Sequence, residues 1–177
     1  MKCTAYTVLL AAVTAVAAVA QDFSGSGQIY VINSTNFDTA TPDQAIGCLD
    51  ATGAFSASNC ATFTKLPNYP QTLISAAGNC SFTDPTQPAN TDNKYGSRSY
   101  AFHCRPSYSS TISDSLYTVN GFKYTFLCHG DINCFYDVKT MPSRNLTTSV
   151  WEYLWGSQQE SIAVGHTQVL WYWKKID

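Results

Sequence analysis

Charge is scarce in this sequence. Charged residues make up 12% of its 177 positions, about half the usual share near 25%. Glutamate is rarer still, with Glu152 and Glu160 as the only two. A formal net charge of −2 leaves no basic excess, which argues against nucleic-acid binding driven by counterion release. Disorder needs low hydrophobicity with high net charge, and a long helix or coiled coil needs abundant Ala, Glu, Lys, Leu and Arg; neither composition is present. Several chemical signatures are missing as well. No G-x-S-x-G elbow marks a serine hydrolase, no paired C-x-x-C marks a zinc site, and nothing selects a carboxylate pair for glycoside hydrolysis. No metal or cofactor is expected. After Ala20 no apolar run nears the ~20 residues of a membrane-spanning helix.

What is present begins with a leader. Met1–Ala20 carries Lys2, then an apolar run from Val8, and ends Ala18-Val19-Ala20. A short positive start, an apolar middle and a small-x-small end read as a cleaved secretion signal. The expected mature chain is 21–177, one domain long enough to bury a core. Its charged end, Trp173-Lys174-Lys175-Ile176-Asp177, does not match a lipid-anchor tail. The chain reads as a soluble, extracellular monomer.

Cysteine usage agrees. Apart from Cys3 in the leader there are Cys48, Cys60, Cys80, Cys104, Cys128 and Cys134. An even set in an oxidising compartment reads as three disulfides, whose connectivity stays open among about 15 possibilities. Cys48 and Cys60 are close enough to be bridged across a hairpin. Asn33-Ser34-Thr35, Asn79-Cys80-Ser81 and Asn145-Leu146-Thr147 are N-glycosylation sequons in a eukaryotic host.

Short β-type runs dominate the rest. Ile29–Ile32 is one. Gly47–Phe55 reads as a hairpin turning at Asp50–Gly53, and Asn59–Thr64, Leu73–Ser75 and Cys80–Phe82 follow. Thr83–Arg98 is the longest loop and the expected mobile one. Tyr100-x-Phe102-x-Cys104 and Tyr124-x-Phe126-x-Cys128 alternate with period two, so the aromatic and cysteine face is expected in the core. Asn120-Gly121 predicts a tight hairpin turn, and Gly130–Asn133 a second turn leading into Cys134–Val138. Ser149-x-x-Glu152 has capping-box spacing, and Val150, Trp151, Leu154 and Trp155 predict a two-turn helix ended by Gly156. Thr167–Lys174 is the last strand, with Val169, Trp171 and Trp173 on one face. The expected fold is mainly β: an antiparallel sandwich or small barrel, with at most one or two short helices and three disulfides.

Two constellations could carry function. His103 and Arg105 lie opposite Phe102 and Cys104, and Lys123 and His129 opposite Phe126 and Cys128. On one solvent face, with Glu152 or Glu160, they would form the acid–base set of a metal-free ribonuclease. The plainer reading is ordinary solvated residues. Trp171 and Trp173, two apart on a strand, would space their rings by about 6.5–7 Å, a spacing for stacking on successive sugars. The plainer reading there is a core strand.

The Ala-rich leader ending Ala18-Val19-Ala20-Gln21, and the module Gly47-Cys48-Leu49-Asp50-Ala51-Thr52-Gly53-Ala54-Phe55 followed by Cys60-Ala61-Thr62-Phe63-Thr64, resemble the small secreted cysteine-rich proteins of filamentous ascomycete fungi. That class includes wall-associated proteins and effector candidates. The resemblance implies extracellular life, disulfides and often no enzymatic activity. The expected function is therefore effector-like: a secreted, non-enzymatic protein binding a wall polysaccharide or a host surface molecule. The alternative is a small secreted hydrolase, ribonuclease-like, built on the His, Arg and Glu residues above.

Overall fold

A computed structural model describes residues 22–95, 99–129, 134–154 and 161–177. The expected leader with Gln21, the residues of the expected turn at 130–133, Trp155, Gly156 and Glu160, and 96–98 at the end of the expected long loop lie outside the described residues. Twelve strands are described: β1 (Ser26–Ile32), β2 (Ala45–Leu49), β3 (Phe55–Ser56), β4 (Phe63–Lys65), β5 (Leu73–Ser75), β6 (Gly78–Ser81), β7 (His103–Arg105), β8 (Leu116–Thr118), β9 (Phe126–His129), β10 (Tyr136–Val138), β11 (Trp151–Glu152) and β12 (Thr167–Lys175). All their pairings are antiparallel. Helix among the described residues is limited to single 3-10 turns at Pro42–Gln44 and Ile112–Asp114. No helix there is long and apolar enough to cross a membrane.

The hub is β12. One edge pairs with β1 from Gly27↔Lys175 to Ile32↔Leu170. The other is divided between β10, at Thr167–Val169, and β9, at Trp171–Tyr172. The far edge of β1 is divided likewise between β2 and β4. Phe55 of β3 exchanges two backbone bonds with Thr148, at 2.8 and 2.9 Å. Three residues on, β11 pairs with β10. The path β12–β1–β2–β3–Thr148–β11–β10–β12 thus returns to its start and closes a small barrel, which leaves none of these strands with an open edge. The other branch, β4–β5–β6–β7, reaches the same segment, where Phe102 N donates to Val150 O at 2.8 Å.

Closure explains why the expected helix over Ser149–Gly156 is absent from the described part. A two-turn helix cannot support itself in water. Here Thr148, Val150 and the β11 residues satisfy their backbone groups across three neighbouring segments instead. The Trp151 indole donates to Pro88 O at 2.8 Å, and Val150 is fully buried.

Aromatic rings fill the interior. Tyr136 and Trp171 stack face to face with centroids 3.6 Å apart. Phe82 stacks on Trp171 at 5.8 Å, Phe102 meets it edge-on, and Phe23 meets Trp173 edge-on. Burying each large apolar side chain contributes about 1.5–3 kcal/mol. Gly27 makes room for this packing, since a methyl there would lie 2.5 Å from Trp173 Cε2. Cys48–Cys60, Cys80–Cys104 and Cys128–Cys134 are bridged in sequential order. Three disulfides are the mark of a chain matured in an oxidising environment.

Two local expectations need correction. The β8–β9 hairpin is real, but Thr118 pairs with Leu127, so Asn120-Gly121 does not form a two-residue turn. Phe122 and Tyr124 leave the ladder to pack on an outer aromatic cluster. On β9, Phe126 and Cys128 are buried as expected, but the face expected in solvent is buried too. Leu127 belongs to the interior cluster and His129 packs on Phe82 at 4.8 Å, while Phe126 belongs to the outer cluster. The alternation was real, but both faces of this strand are buried, so polarity did not reveal which one points in.

Candidate functional site

On β7 the alternation holds as read. Phe102 and Cys104 point into the core, while His103 and Arg105 are half-buried on the outer face. Ser81 of β6 sits directly opposite His103. The loop after β6 and the turn after β7 fold over this face and add Asp84, Thr86 and Tyr108. The Tyr108 hydroxyl donates to Asp84 Oδ2. Arg105 reaches the same oxygen at 3.2 Å, and Thr86 donates its N–H and hydroxyl to Asp84 Oδ1 at 2.9 and 2.8 Å. Burial alone would raise the Asp84 carboxyl, but Tyr108, Thr86 and Arg105 together hold it well below the usual carboxylate range. Burial and the Asp84 hydrogen bond push the Tyr108 phenol well up.

His103 completes the chain. Its Nδ1 lies 3.2 Å from Tyr108 Oη. Because Tyr108 spends its proton on Asp84, it accepts from His103, which fixes the Nδ1–H tautomer. Burial lowers the imidazole pKa, with Asp84 partly offsetting and Arg105 assisting. The adjoining cleft measures about 230 Å³. Asp84 is saturated with donors, so this cluster braces the loop against β7 and presents no free carboxylate.

His129 and Glu152 do not join that face. His129 is 7% exposed; its Nδ1 bonds Glu152 Oε1 and its Nε2 lies 2.7 Å from the Ser113 carbonyl oxygen. Both ring nitrogens are therefore occupied, and the pair is a clamp between β9 and β11. The four residues expected on one solvent face are split between an outer face and the interior. Trp171 and Trp173 are 0% and 2% exposed, so neither offers a ring face to a sugar, and the expected stacking platform is not there. Of the sequons, Asn33 and Asn145 are exposed and Asn79 is half-buried.

Sequence reasoning missed two clusters. In one, His166 Nδ1 meets Asp137 Oδ1 at 2.6 Å and Nε2 meets Asp92 Oδ2 at 3.1 Å, with Asn90 and Lys139 adding bonds to the two carboxylates. Its members span 90–166, and no local spacing announces it. The other is an aromatic shelf outside the barrel. Ile32, Leu170 and Phe126, from the outward faces of β1, β12 and β9, form its floor with Ala40. Tyr30, Phe37, Phe122, Tyr124, Phe135 and Tyr172 are half-buried around them. Phe37 sits centrally, with ring centroids 5.0 Å from both Phe122 and Phe135 and 5.4 Å from Phe126. Tyr124 meets Tyr172 edge-on at 5.9 Å, and Lys123 Nζ lies 5.1 Å over the Tyr124 ring. A cleft of about 370 Å³ opens here, lined by Phe37, Asp38, Thr41, Phe122, Lys123 and Tyr124 among others. The alternation through Phe122, Tyr124 and Phe126 was its signal; Phe126 is buried as expected, while Phe122 and Tyr124 are only half-buried against it.

Compared with known protein families, curated proteins and solved structures, the chain has no significant match in any of the three.

Proposed function

We propose that the protein is exported and works outside the cell as a binding module that holds a wall polysaccharide on the outer aromatic shelf. The observation that carries this reading is the cleft at Phe37, Phe122 and Tyr124. It joins half-buried ring edges and faces to a few polar groups, the usual make-up of a small-molecule or sugar site. Asp38 and Lys123 at its rim offset each other in charge, which favours an uncharged ligand over a polyanion. The barrel supports it by fixing the floor of the shelf, with Ile32, Phe126 and Leu170 on β1, β9 and β12, which limits the ordering that binding requires. Two of the three histidines add support. His129 and His166 are bonded on both ring nitrogens, leaving neither a free lone pair for proton transfer.

The test is binding of the purified, exported protein to a panel of soluble and insoluble wall polysaccharides by calorimetry and co-sedimentation. Tyr124→Ala and Phe122→Ala are expected to weaken binding about tenfold each, equivalent to about 1.4 kcal/mol, with Ser107→Ala in the Asp84 cleft as a neutral control. Saturable binding that both shelf variants leave unchanged would overturn the assignment. Binding to a host surface protein with no polysaccharide retained would replace the ligand class.

A further inference from the structure

We infer that Asn33 and Asn145 carry N-linked oligosaccharide in the exported protein and that Asn79 does not. This rests on the export proposed above but is independent of the aromatic shelf. All three match the N-x-S/T motif; the Cys80 beside Asn79 already sets that site apart in the sequence, and their surroundings separate them further.

Asn145 stands at the tip of a tight turn. Ser143 N donates to Leu146 O and Leu146 N to Ser143 O, both at 3.1 Å, leaving Arg144 and Asn145 as the two turn residues. Asn145 and Thr147 are both exposed. The same turn exposes apolar surface beside Asn145, with Leu146 59% exposed. Asn33 follows directly on β1. Its backbone N–H is used, donating to Gln44 O at 3.1 Å, but its side chain is exposed, as is Thr35.

Asn79 differs on every count. It lies within β6, between Ile74 of β5 and Arg105 of β7. Its Nδ2, the nitrogen that would carry the sugar, donates to Tyr108 O at 2.8 Å. That bond helps seat the turn after β7, which carries Tyr108 onto Asp84. The middle sequon residue, Cys80, is bridged to Cys104.

The modification needs a polyprenyl-diphosphate-linked oligosaccharide as donor, supplied by a eukaryotic secretory membrane. Asn Nδ2 forms a bond to sugar C1, the bond from C1 to the diphosphate oxygen breaks, the lipid diphosphate leaves, and Nδ2 loses one proton to a base. At Asn33 and Asn145 the product projects into solvent. At Asn79 the sugar would displace the turn that covers it, so a chain modified there does not reach the folded, exported pool.

The test expresses the full chain in a secreting eukaryotic host and purifies it from the medium. Enzymatic amide hydrolysis of N-glycans in heavy-oxygen water then converts each formerly glycosylated Asn to labelled Asp, read by peptide mass mapping. Label at Asn33 and Asn145, with an unlabelled amide at Asn79, is the expected result. Asn33→Gln and Asn145→Gln should each remove one glycan from the intact mass. Label at Asn79 in folded protein, or its absence from Asn33 or Asn145, overturns the inference. A chain retained inside the host with its leader attached overturns the export reading instead, and the N-terminal peptide tells the two failures apart. The wild-type label reads Asn79 directly, so the result does not depend on whether Asn79→Gln folds.

Discussion

His129 and Glu152 form an ion pair inside the barrel, and the other ring nitrogen of His129 lies against the Ser113 carbonyl. A carboxylate and a carbonyl oxygen are both acceptors, so the two nitrogens must both carry protons and the imidazole is held as a cation. Burial opposes that charge, but the Glu152 hydrogen bond and charge, the Ser113 carbonyl and the nearby Asp114 outweigh it and raise the pKa above the ordinary 6.5.

This arrangement sets a pH dependence. A folded-state pKa above the unfolded one stabilises fully below about pH 6.5, and that stability is lost as pH rises through the folded value. Asp137 acts in the same direction. Burial raises its carboxyl above 3.8, with His166 and Asn90 partly offsetting, so its contribution fades as pH rises from about 3.8 through its folded value, and the fall above pH 6 belongs to His129. The melting temperature is expected to fall between about pH 6 and pH 9, and Glu152→Gln should flatten that fall. Thermal melts across the range check this, and a flat wild-type profile would count against the clamp.

Asp84 works in the opposite sense. Its depressed pKa contributes stability that is present above about pH 3.8 and lost as pH falls toward the folded value. Asp84→Ala strands the Tyr108 hydroxyl, the Thr86 donors and Arg105 together. It is expected to cost about 2–4 kcal/mol in denaturant unfolding. Asp84→Asn, which keeps an acceptor, should cost less.

Gly27→Ala tests the packing of β1 on β12. The added methyl would meet Trp173 and the Lys174 carbonyl oxygen at 2.5–2.8 Å. Overpacking of this kind costs about 1–3 kcal/mol. Near-ultraviolet circular dichroism should change with the loss of stability, because the displaced ring is Trp173.

The disulfide pairing makes a compact prediction for a tryptic digest without reductant. Cys48 and Cys60 share the peptide ending at Lys65, and Cys128 and Cys134 share 124–139. Cys80 and Cys104 fall on separate peptides, 66–94 and 99–123. One cross-linked pair of peptides is expected, and any second one would contradict the pairing. Replacing Cys80 and Cys104 together by Ala should cost about 2–4 kcal/mol.

Strand content was legible because period-two alternation is local. Ile29–Ile32, Gly47–Phe55, Leu73–Ser75 and Thr167–Lys174 all coincide with strands or a hairpin in the fold. The turn at Asp50–Gly53 was legible for the same reason. Asp50 Oδ1 accepts from Thr52 and Ala54 within four residues, and Gly53 takes a φ of 87° that glycine tolerates. The candidate site was less legible. His103 and Arg105 were singled out correctly as an outward pair, but their partners Asp84 and Tyr108 come from two loops. His129 was placed on the wrong side because Phe126 and Leu127 are equally apolar, and either could have pointed in.

Local spacing was enough to determine a chain of short antiparallel strands, its even set of cysteines and its turn chemistry, since each depends on residues a few positions apart. The tertiary structure decided the rest. Barrel closure through Thr148 and β11 turned a helical pattern into strand, because unpaired backbone groups at a closing seam cost more than a weak helix returns. Packing on two sides of β9 and β12 sent Trp171, Trp173 and His129 inward and left Phe122, Tyr124 and Tyr172 at the surface. Where both faces of a strand are apolar, only the neighbours it meets in space determine which face is buried deepest.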